Sequence, residues 1–184
     1  MKEFLIFLII FLIIFSISVF IFNGRFIYSQ AKYSVIGSEP VTPFSKFLDS
    51  GERDVSLKLV IPDIGVEAPI ILSETSDESL IQENLKNGVV RYLDSNVILG
   101  HSSAYPWYKG SYGSIFSLLN KLELGNQIHI YSGGNKFSYE VINKQIDFPK
   151  NFDLEKDDSI IYLVSCWPIS TNWKRIVIMA KSID

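Results

Sequence analysis

The sequence IIYLVSCWP, residues 160–168, combines a run of β-branched and aromatic residues with the only cysteine of the chain. Residues of these types favour a β-strand, and Pro168 ends regular pairing because it has no N–H group to donate. Cys166 is therefore predicted at the end of a strand, where a rigid element holds the thiol close to a loop. A lone cysteine is more often a small buried hydrophobe, but this position beside a loop favours a reactive thiol.

Short apolar runs separated by turn signals continue the β pattern on both sides, from residue 56 to residue 184. Pro69 suits an edge or bulge position, and the sequence SGGN at residues 132–135 indicates a hairpin turn. Many short strands with few helices indicate a closed or nearly closed β-barrel, and the region is long enough to bury one core. Strands are predicted at 57–61, 66–72, 96–99, 127–131, 136–146, 160–165 and 175–180, and short helices at 77–85 (N-cap Ser76 or Asp77) and 115–122.

Residues 4–22 carry no charge and contain neither glycine nor proline. A helix needs about 20 apolar residues to cross a bilayer, so this run predicts one uncleaved transmembrane helix. A cleaved signal peptide is the alternative, but its apolar core is usually only ~7–15 residues long. The sequence thus predicts three parts: an anchor at 1–23, a tether at 24–55 and a globular domain at 56–184. The charges that flank the apolar run do not decide its orientation.

Composition excludes several classes of protein. Of the 184 residues, 47% are apolar and 20% are charged, which is unlike a disordered or collagen-like chain. The formal net charge of -3 provides no basic surplus for binding nucleic acid. A single cysteine argues against an internal disulfide and against a multi-cysteine metal site, and two histidines argue against a histidine-rich metal site. Acidic residues at 153–158 could hold calcium, but a solvated turn is the favoured interpretation, so no metal or cofactor is predicted.

Two further side chains suit catalysis together with Cys166. His101 follows the strand predicted at 96–99, and Gly100 before it permits close backbone approach. Arg175 opens the last strand, and its short connection to Cys166 lets the two strands pair antiparallel with both residues at one end. A thiolate is the reactive form of cysteine, a histidine can take and return its proton, and an arginine can stabilise an oxyanion. The three residue types therefore suit cleavage of an amide bond through a thioacyl intermediate.

For Arg175 and for the second histidine, His129, the sequence also allows or favours a position without a role in catalysis. Arg175 could be a surface arginine, as the neighbouring Lys174 is predicted to be. His129 lies in the alternating sequence QIHIY, residues 127–131, which predicts a solvent-facing position on a strand rather than a site residue.

The contexts of these residues resemble those of the sortase family, the membrane-anchored cysteine transpeptidases of bacterial surfaces. LVSCWP at 163–168, followed by RIVI at 175–178, resembles the cysteine and arginine strands of that family, with Ser165 where threonine is usual. The dipeptide GH at 100–101, after a short apolar strand, resembles its histidine motif. Further landmarks in the same order are LVIPDIGVEAPI at 59–70, LKNGVVRY at 85–92 and GSIFSLLNKL at 113–122, so the likeness spans roughly 57–180.

The resemblance implies an eight-stranded barrel with His101, Cys166 and Arg175 at one end. It implies that Cys166 attacks the carbonyl carbon of a C-terminal sorting signal, often Leu-Pro-x-Thr-Gly, in a secreted protein. His101 would protonate the leaving amine and then deprotonate the incoming one. Arg175 would orient the signal and support the oxyanion. The acyl group would pass to an amine on the cell wall or on another surface protein.

The resemblance also implies a cellular location and a subclass. The N-terminus would lie inside the cell, residues 4–22 would cross the bilayer, and the catalytic domain would be extracellular. The short connection from Cys166 to Arg175, with Pro168 inside it, suggests a compact housekeeping member or a class D/E-like member.

Aromatic side chains crowd the two loops near the candidate catalytic residues. They are Tyr105, Trp107, Tyr108 and Tyr112 after His101, and Trp167 and Trp173 after Cys166. Tyr105, Trp167 and Trp173, with Ser165, are predicted to line a groove for the signal peptide, although mutual packing at the barrel end explains them equally well. Two other functions stay open: a membrane-anchored cysteine peptidase that only hydrolyses, and a non-enzymatic tethered barrel that binds a peptide or wall polymer.

Overall fold

The computed structural model describes residues 3–18, 31, 57–93, 95–104, 108–152, 154 and 157–184. Eight strands between residues 58 and 182 form a closed barrel, as the family resemblance implies. The strands are β1 (Lys58–Ile61), β2 (Val66–Ser73), β3 (Val89–Tyr92), β4 (Val97–Leu99), β5 (Gln127–Ser132), β6 (Asn135–Asp147), β7 (Ile160–Trp167) and β8 (Lys174–Ser182). Around the barrel they follow the order β1-β2-β3-β4-β7-β8-β6-β5, and β5 pairs with β1 to close it.

Two of the strand pairs are parallel, β2 with β3 and β4 with β7, and the others are antiparallel. The parallel pair β4–β7 joins strands that are distant in sequence, with Leu99 opposite Val164. The pair β7–β8 is a hairpin whose strands lie side by side along their whole lengths. Strand β7 therefore lies between the strand that leads to His101 and the strand that begins beside Arg175.

Both faces of β7 and β8 are buried over most of their length. On one face Ile161 and Leu163 join the main core inside the barrel. On the other face Ile160 and Tyr162 form a second cluster, which Phe152 and Leu154 from the β6–β7 connection cover. Burial of each large apolar side chain contributes about 1.5–3 kcal/mol, so this double coverage fixes β7 firmly. It also explains why the sequence of β7 is continuously apolar rather than alternating.

The β5–β6 hairpin forms where the sequence predicts it. The turn residues Gly133 and Gly134 have φ values of 56° and 84°, a conformation that glycine adopts without steric cost. Pro69, in contrast, does not lie on an edge strand, because β2 has β1 on one side and β3 on the other. The proline is tolerated because the pairing of β2 with β3 begins only at the next residue, Ile70, so the missing N–H of Pro69 is not needed in that register.

Helix α1 covers residues 3–18, and α2 covers Glu78–Asn84. The predicted cap of α2 is confirmed, since the Asp77 carboxylate accepts hydrogen bonds from the N–H groups of Ser79 and Leu80. Short 3-10 helices cover Pro62–Ile64, Leu119–Lys121 and Pro149–Asn151.

The helix predicted over residues 115–122 is wrong. That segment consists of successive turns that end in a single 3-10 turn. The buried side chains Phe116, Leu119 and Leu122 recur every third residue, and the N–H groups of Leu119 and Leu122 bond to the carbonyl three residues earlier. Spacing by three is the period of a 3-10 helix, and it places all three side chains on the core.

Helix α1 contains most of the apolar run predicted as an anchor, and its large apolar side chains are exposed. Among the described residues, none of the helices has the length and apolar character that crossing a membrane requires. The remaining positions of the predicted anchor, 1–2 and 19–23, lie outside the described residues. So does the predicted tether at 24–55, except for residue 31.

Candidate active site

Cys166 and Arg175 face each other across the β7–β8 hairpin. The two residues are direct partners in the antiparallel register. The connection between their strands is tight, because Thr171 donates from its N–H (3.0 Å) and from its hydroxyl (2.8 Å) to the carbonyl of Pro168. The Trp167–Pro168 peptide bond in this connection is cis. Direct antiparallel partners point to the same face with Cβ atoms about 4.5–5.5 Å apart, so the thiol and the guanidinium share one surface.

That surface is the outer face of the barrel. Side chains alternate along a strand, and Leu163 of β7 and Ile176 of β8 point into the main core. Cys166 and Arg175 therefore point the other way, on the face of Tyr162 and Val177. Cys166 is half-buried there. The thiol is a partly accessible group at the end of a buried strand, as the sequence predicts.

His101 reaches the same end of the barrel through the parallel β4–β7 pair. The last registered partners are Leu99 and Val164, and the N–H of Gly100 continues the ladder by donating to the Val164 carbonyl at 3.1 Å. The Ser165 hydroxyl donates to the Gly100 carbonyl at 2.7 Å, which ties β7 to the residue before His101. His101 lies two positions beyond Leu99, and Cys166 lies two positions beyond Val164, so both residues follow this parallel pair toward the same end of the barrel.

The imidazole of His101 lies in a mostly apolar setting. Its ring meets the Tyr108 ring edge to face, with the centroids 5.4 Å apart and the planes at 84°. The Nε2 atom is buried and has no hydrogen-bond partner within the described part of the chain. Burial lowers the pKa of His101 below its ordinary 6.5, because the charged form loses water. The side chain is thus held neutral near pH 7, in the form that can accept a proton.

Gly100 allows the chain to pass close to Phe116. A Cβ atom at this glycine would lie 2.4 Å from Cδ2 of the Phe116 ring, well inside van der Waals contact. The backbone N–H of Phe116 in turn donates to the His101 carbonyl at 2.9 Å. The main chain at residues 100–101 is therefore fixed on both sides, by Ser165 of β7 and by Phe116 of the core.

The Arg175 guanidinium is oriented by its own loop. Its Nη1 donates to the carbonyl oxygens of Asn172 and Lys174, both at 3.0 Å. The ammonium group of Lys174 takes a separate position, 5.1 Å from the centre of the Phe148 ring. Of these two adjacent cations, Arg175 alone lies opposite the thiol.

A profile of the Sortase domain matches residues 59–183, which is most of the chain and includes every strand residue except Lys58. This chain belongs to the sortase family. Two curated relatives support the assignment. The chain is 25% identical to Sortase A of Bacillus anthracis over 130 residues, which are 69% of this chain and 59% of the relative. It is 26% identical to Sortase D of Bacillus subtilis (strain 168) over 131 residues, 68% of this chain and 62% of the relative.

The match therefore spans about three fifths of the length of these curated relatives. Solved sortase structures share the fold of this chain. Sortase C-1 from Actinomyces oris superposes with a TM-score of 0.56 at 20% identity, covering 88% of this chain and 98% of that structure. Sortase A from Corynebacterium diphtheriae gives a TM-score of 0.57 at 22% identity, covering 84% of this chain and 80% of that one.

The other residues predicted to contact substrate occupy different positions in this sortase. Ser165 is buried, and its hydroxyl makes the hydrogen bond to Gly100, which is the structural role that the sequence leaves open. Trp167 packs partly against the main core, whereas Trp173 is 71% exposed. Tyr105 lies outside the described residues. Trp173 is thus the described member of this group that a peptide could reach most freely.

His129 is not the solvent-facing residue that the sequence predicts. Its neighbours Ile128 and Ile130 point into the barrel, so the alternation assigns the outer face correctly, but the side chain is only 7% exposed. Burial and the nearby Lys136 lower its pKa, while Asp184 and Asp63 act in the opposite direction. Period-two alternation identifies a face and does not reveal whether another part of the protein covers it.

Asp147 is a neighbour of the candidate site that the sequence does not single out. It lies on β6 directly opposite Arg175, so β8 separates it from Cys166. Hydrogen bonds from the Asn151 side chain and the Phe148 N–H lower the pKa of its carboxyl group, and Lys174 adds to the effect. Only the β6–β8 register, which joins distant parts of the sequence, reveals this position.

At the end of the acidic segment beyond β6, Asp157 forms a local turn. The Asp157 carboxylate accepts from the N–H of Ser159 at 2.8 Å, and its carbonyl accepts from the Asn96 side chain at 3.0 Å. Asp153 and Glu155 lie outside the described residues. Asp157 thus acts as a turn residue that links the segment before β7 to the segment before β4.

Proposed function

We propose that this sortase is a cysteine transpeptidase whose catalytic groups are Cys166, His101 and Arg175. The observation that supports this most strongly is the pair of registers on either side of β7. One register puts Arg175 opposite Cys166, and the other leads His101 to the same end of the same strand. Acyl transfer through a thioester requires a nucleophile, a proton carrier and a fixed cation close together. Cys166, His101 and Arg175 are groups of these three kinds at one end of one sheet.

The proposed reaction begins with attack of the Cys166 sulfur on the carbonyl carbon of the scissile peptide bond. The thiol proton passes to His101, which the apolar setting keeps neutral and able to accept it. Negative charge develops on the carbonyl oxygen, and the Arg175 guanidinium on the same face stabilises it. Collapse of this intermediate breaks the C–N bond while His101 returns the proton to the leaving amine. A thioester on Cys166 remains.

The second half of the reaction reverses these roles. An incoming amine loses a proton to His101 and attacks the thioester carbon, and the thiolate of Cys166 leaves and recovers a proton. The product is a new amide, and no cofactor is needed for the balance of atoms. Water in place of the amine would release a carboxylic acid instead.

The proposed substrate is a secreted protein with a C-terminal sorting signal of the Leu-Pro-x-Thr-Gly type. The proposed acceptor is an amine on the cell wall or on another surface protein. We place the catalytic domain outside the cell and the apolar residues 4–22 in the bilayer, with the N-terminus inside. Tethering to the membrane would raise the effective concentration of enzyme where secreted substrates emerge. A class D/E-like subclass remains a prediction, since the curated relatives named Sortase A and Sortase D match almost equally well.

The test is a transfer assay with the full chain in detergent micelles. A labelled sorting peptide is incubated with and without an amine acceptor, and the products are separated by mass. Transpeptidation predicts an amide product that requires both the acceptor and Cys166. Acid in both reactions would instead indicate a peptidase that only hydrolyses. Peptide binding without any product, unchanged in Cys166→Ala, would indicate a non-enzymatic barrel.

A further inference from the structure

The aromatic ring of Tyr108 packs against the His101 imidazole. Tyr108 is seven positions further along the chain, yet its ring centre is 5.4 Å from that of His101. The planes are nearly perpendicular, at 84°, which is the edge-to-face arrangement that aromatic rings favour. This contact is the one ring contact recorded for His101 among the described residues.

Two glycines make room for the Tyr108 ring. A Cβ atom on Gly110 would lie 2.5 Å from Cε1 of Tyr108, and one on Gly113 would lie 2.9 Å from its Cδ1. Neither glycine has a positive φ, so close packing rather than backbone conformation demands glycine at these positions. The ring of Tyr108 is therefore held in a slot that only these two small residues permit.

The segment that follows Tyr108 is attached to the rest of the domain at two points. The N–H of Ser111 donates to the Lys86 carbonyl at 3.2 Å, which ties the loop to the segment after α2. The N–H of Phe116 donates to the His101 carbonyl at 2.9 Å, which ties the loop back to the histidine itself. The position of Tyr108 thus follows from the fold and not from a chance contact of a surface side chain.

We propose that Tyr108 is a positioning residue for His101, whose ring keeps water from one side of the imidazole and holds it in the orientation that faces Cys166. The proposal rests on the proposed catalytic role of His101. Tyr108 takes no part in bond making. It acts through the histidine, because an imidazole that can rotate or is fully hydrated spends less time aligned with the thiol.

The lowered pKa of His101 is consistent with this role, since burial is the cause of the shift. Tyr108 on the loop, Cys166 on β7 and Arg175 on β8 are ionisable groups at this end of the barrel, and Lys174 on β8 and Asp147 on β6 lie beside Arg175. The ammonium group of Lys86, whose main chain contacts Gly110, is paired with Glu83 instead. Removal of the ring should therefore act mainly by admitting water, which moves the His101 pKa upward.

The test is a pH titration of the imidazole resonances by NMR, with the full chain in detergent micelles. The chain has two histidines, so His129 provides an internal reference. We expect Tyr108→Ala to move the His101 pKa upward toward its ordinary value and to leave His129 unchanged. Tyr108→Phe, which keeps the ring, should titrate like the unmodified protein. The matched control is Tyr112→Ala, because Tyr112 is in the same loop but packs against the main core.

An unchanged His101 titration in Tyr108→Ala would overturn the proposal. An equal shift in Tyr108→Phe would also overturn it, because the effect would then come from the hydroxyl. An equal shift in Tyr112→Ala would overturn it as well, because the effect would then come from general loosening of the loop. Thermal unfolding establishes that each variant is folded. If the alanine variant is not, Tyr108→Leu replaces it, with a smaller upward shift expected and no shift contradicting the proposal.

Kinetics provide a second readout. We expect Tyr108→Ala to lower kcat for peptide cleavage on the order of tenfold, with KM changed less than about twofold, because alignment and not binding is lost. The acidic limb of the pH–rate profile should move in the same direction as the NMR titration. If no peptide is cleaved by any form of the protein, the proposed function fails, while the titration still decides whether Tyr108 controls His101.

Discussion

Cys166 and Arg175 lie directly opposite each other on the antiparallel strands β7 and β8, on the outer face of the barrel. The pairing fixes the main-chain positions of the two residues relative to each other, so their juxtaposition does not depend on the conformation of a long loop. The connection needs only residues 168–173, and the Pro168–Thr171 turn closes it. This relationship makes the role of each side chain separately testable.

Arg175→Lys should lose most activity while the fold survives. Lysine keeps the charge but lacks the planar fork, which lets Nη1 bond to two carbonyl groups while the guanidinium has further N–H groups to offer the proposed substrate. We expect kcat/KM to fall by about 10²-fold, the usual cost of losing one oxyanion donor. The measurement is steady-state cleavage of a sorting peptide, with circular dichroism to establish folding.

The matched control is the reverse exchange at the next position, Lys174→Arg. That side chain lies over the Phe148 ring, and arginine can make the same contact. Its kinetics should be close to those of the unmodified protein. Near-normal rates for Arg175→Lys, or equal losses in the two variants, would refute the role proposed for Arg175.

His101→Ala should abolish turnover, because the leaving amine then has no proton source. The only other histidine offers a control. His129→Ala removes a buried side chain far from β7 in the barrel order, so it should lower stability by about 1 kcal/mol and leave kcat nearly unchanged. The two variants are compared by single-turnover cleavage and urea unfolding. Turnover that survives in His101→Ala would implicate a different acid.

Stability should decline as the pH falls below about 6.5, because both histidines have lowered pKa values in the folded protein. Between the ordinary value of 6.5 and the lower folded values, the unfolded chain binds more protons than the folded one. The stabilisation is therefore complete above 6.5 and is lost as the pH falls toward the folded pKa values. Asp147 and Asp157, whose pKa values are lowered from 3.8, contribute only in a more acidic range.

The measurement is Tm as a function of pH, for the unmodified chain and for the double variant His101→Asn/His129→Asn. The double variant should show a flatter dependence between about pH 7.5 and pH 5. Parallel curves for the two proteins would show that other groups cause the decline.

Gly100→Ala should destabilise the protein by about 1–3 kcal/mol and slow catalysis, because the new methyl group overlaps the Phe116 ring. A double-mutant cycle of Gly100→Ala with Phe116→Leu tests this cause, with stability measured by urea unfolding and activity by peptide cleavage. If the overlap is the cause, Gly100→Ala should cost less in the Phe116→Leu background. Strictly additive effects would contradict that cause.

The parts of the site that are predictable from the sequence are those set by neighbouring residues. The β-rich runs around Cys166 and Arg175 and the short connection between them are sufficient to predict that these residues pair. The approach of His101 is different, because it depends on the parallel pairing of β4 with β7, and strands so far apart in sequence leave no local signal of their partner. Only the family resemblance predicts that juxtaposition.

The errors have a common physical origin in tertiary packing. Residues 115–122 contain enough leucine for a helix, but the core accepts side chains at every third position and selects 3-10 geometry. His129 is assigned to the correct face, yet coverage of that face is not encoded in the alternation. Asp147 escapes notice for the same reason, and Tyr108, although it is named among the aromatic residues after His101, gives no sign of its contact with the imidazole, since the linear order hides both contacts.

The most direct test of the proposed chemistry is to trap the acyl-enzyme. The full chain is mixed with a labelled sorting peptide without an amine acceptor, quenched in acid and digested, and the fragments are analysed by mass spectrometry. We predict that the acyl label is attached to Cys166, that it disappears when an amine is added before the quench, and that Arg175→Lys accumulates it far more slowly. Peptide cleavage that continues in Cys166→Ala, or a label attached to any other residue, would contradict the claim that Cys166 is the nucleophile.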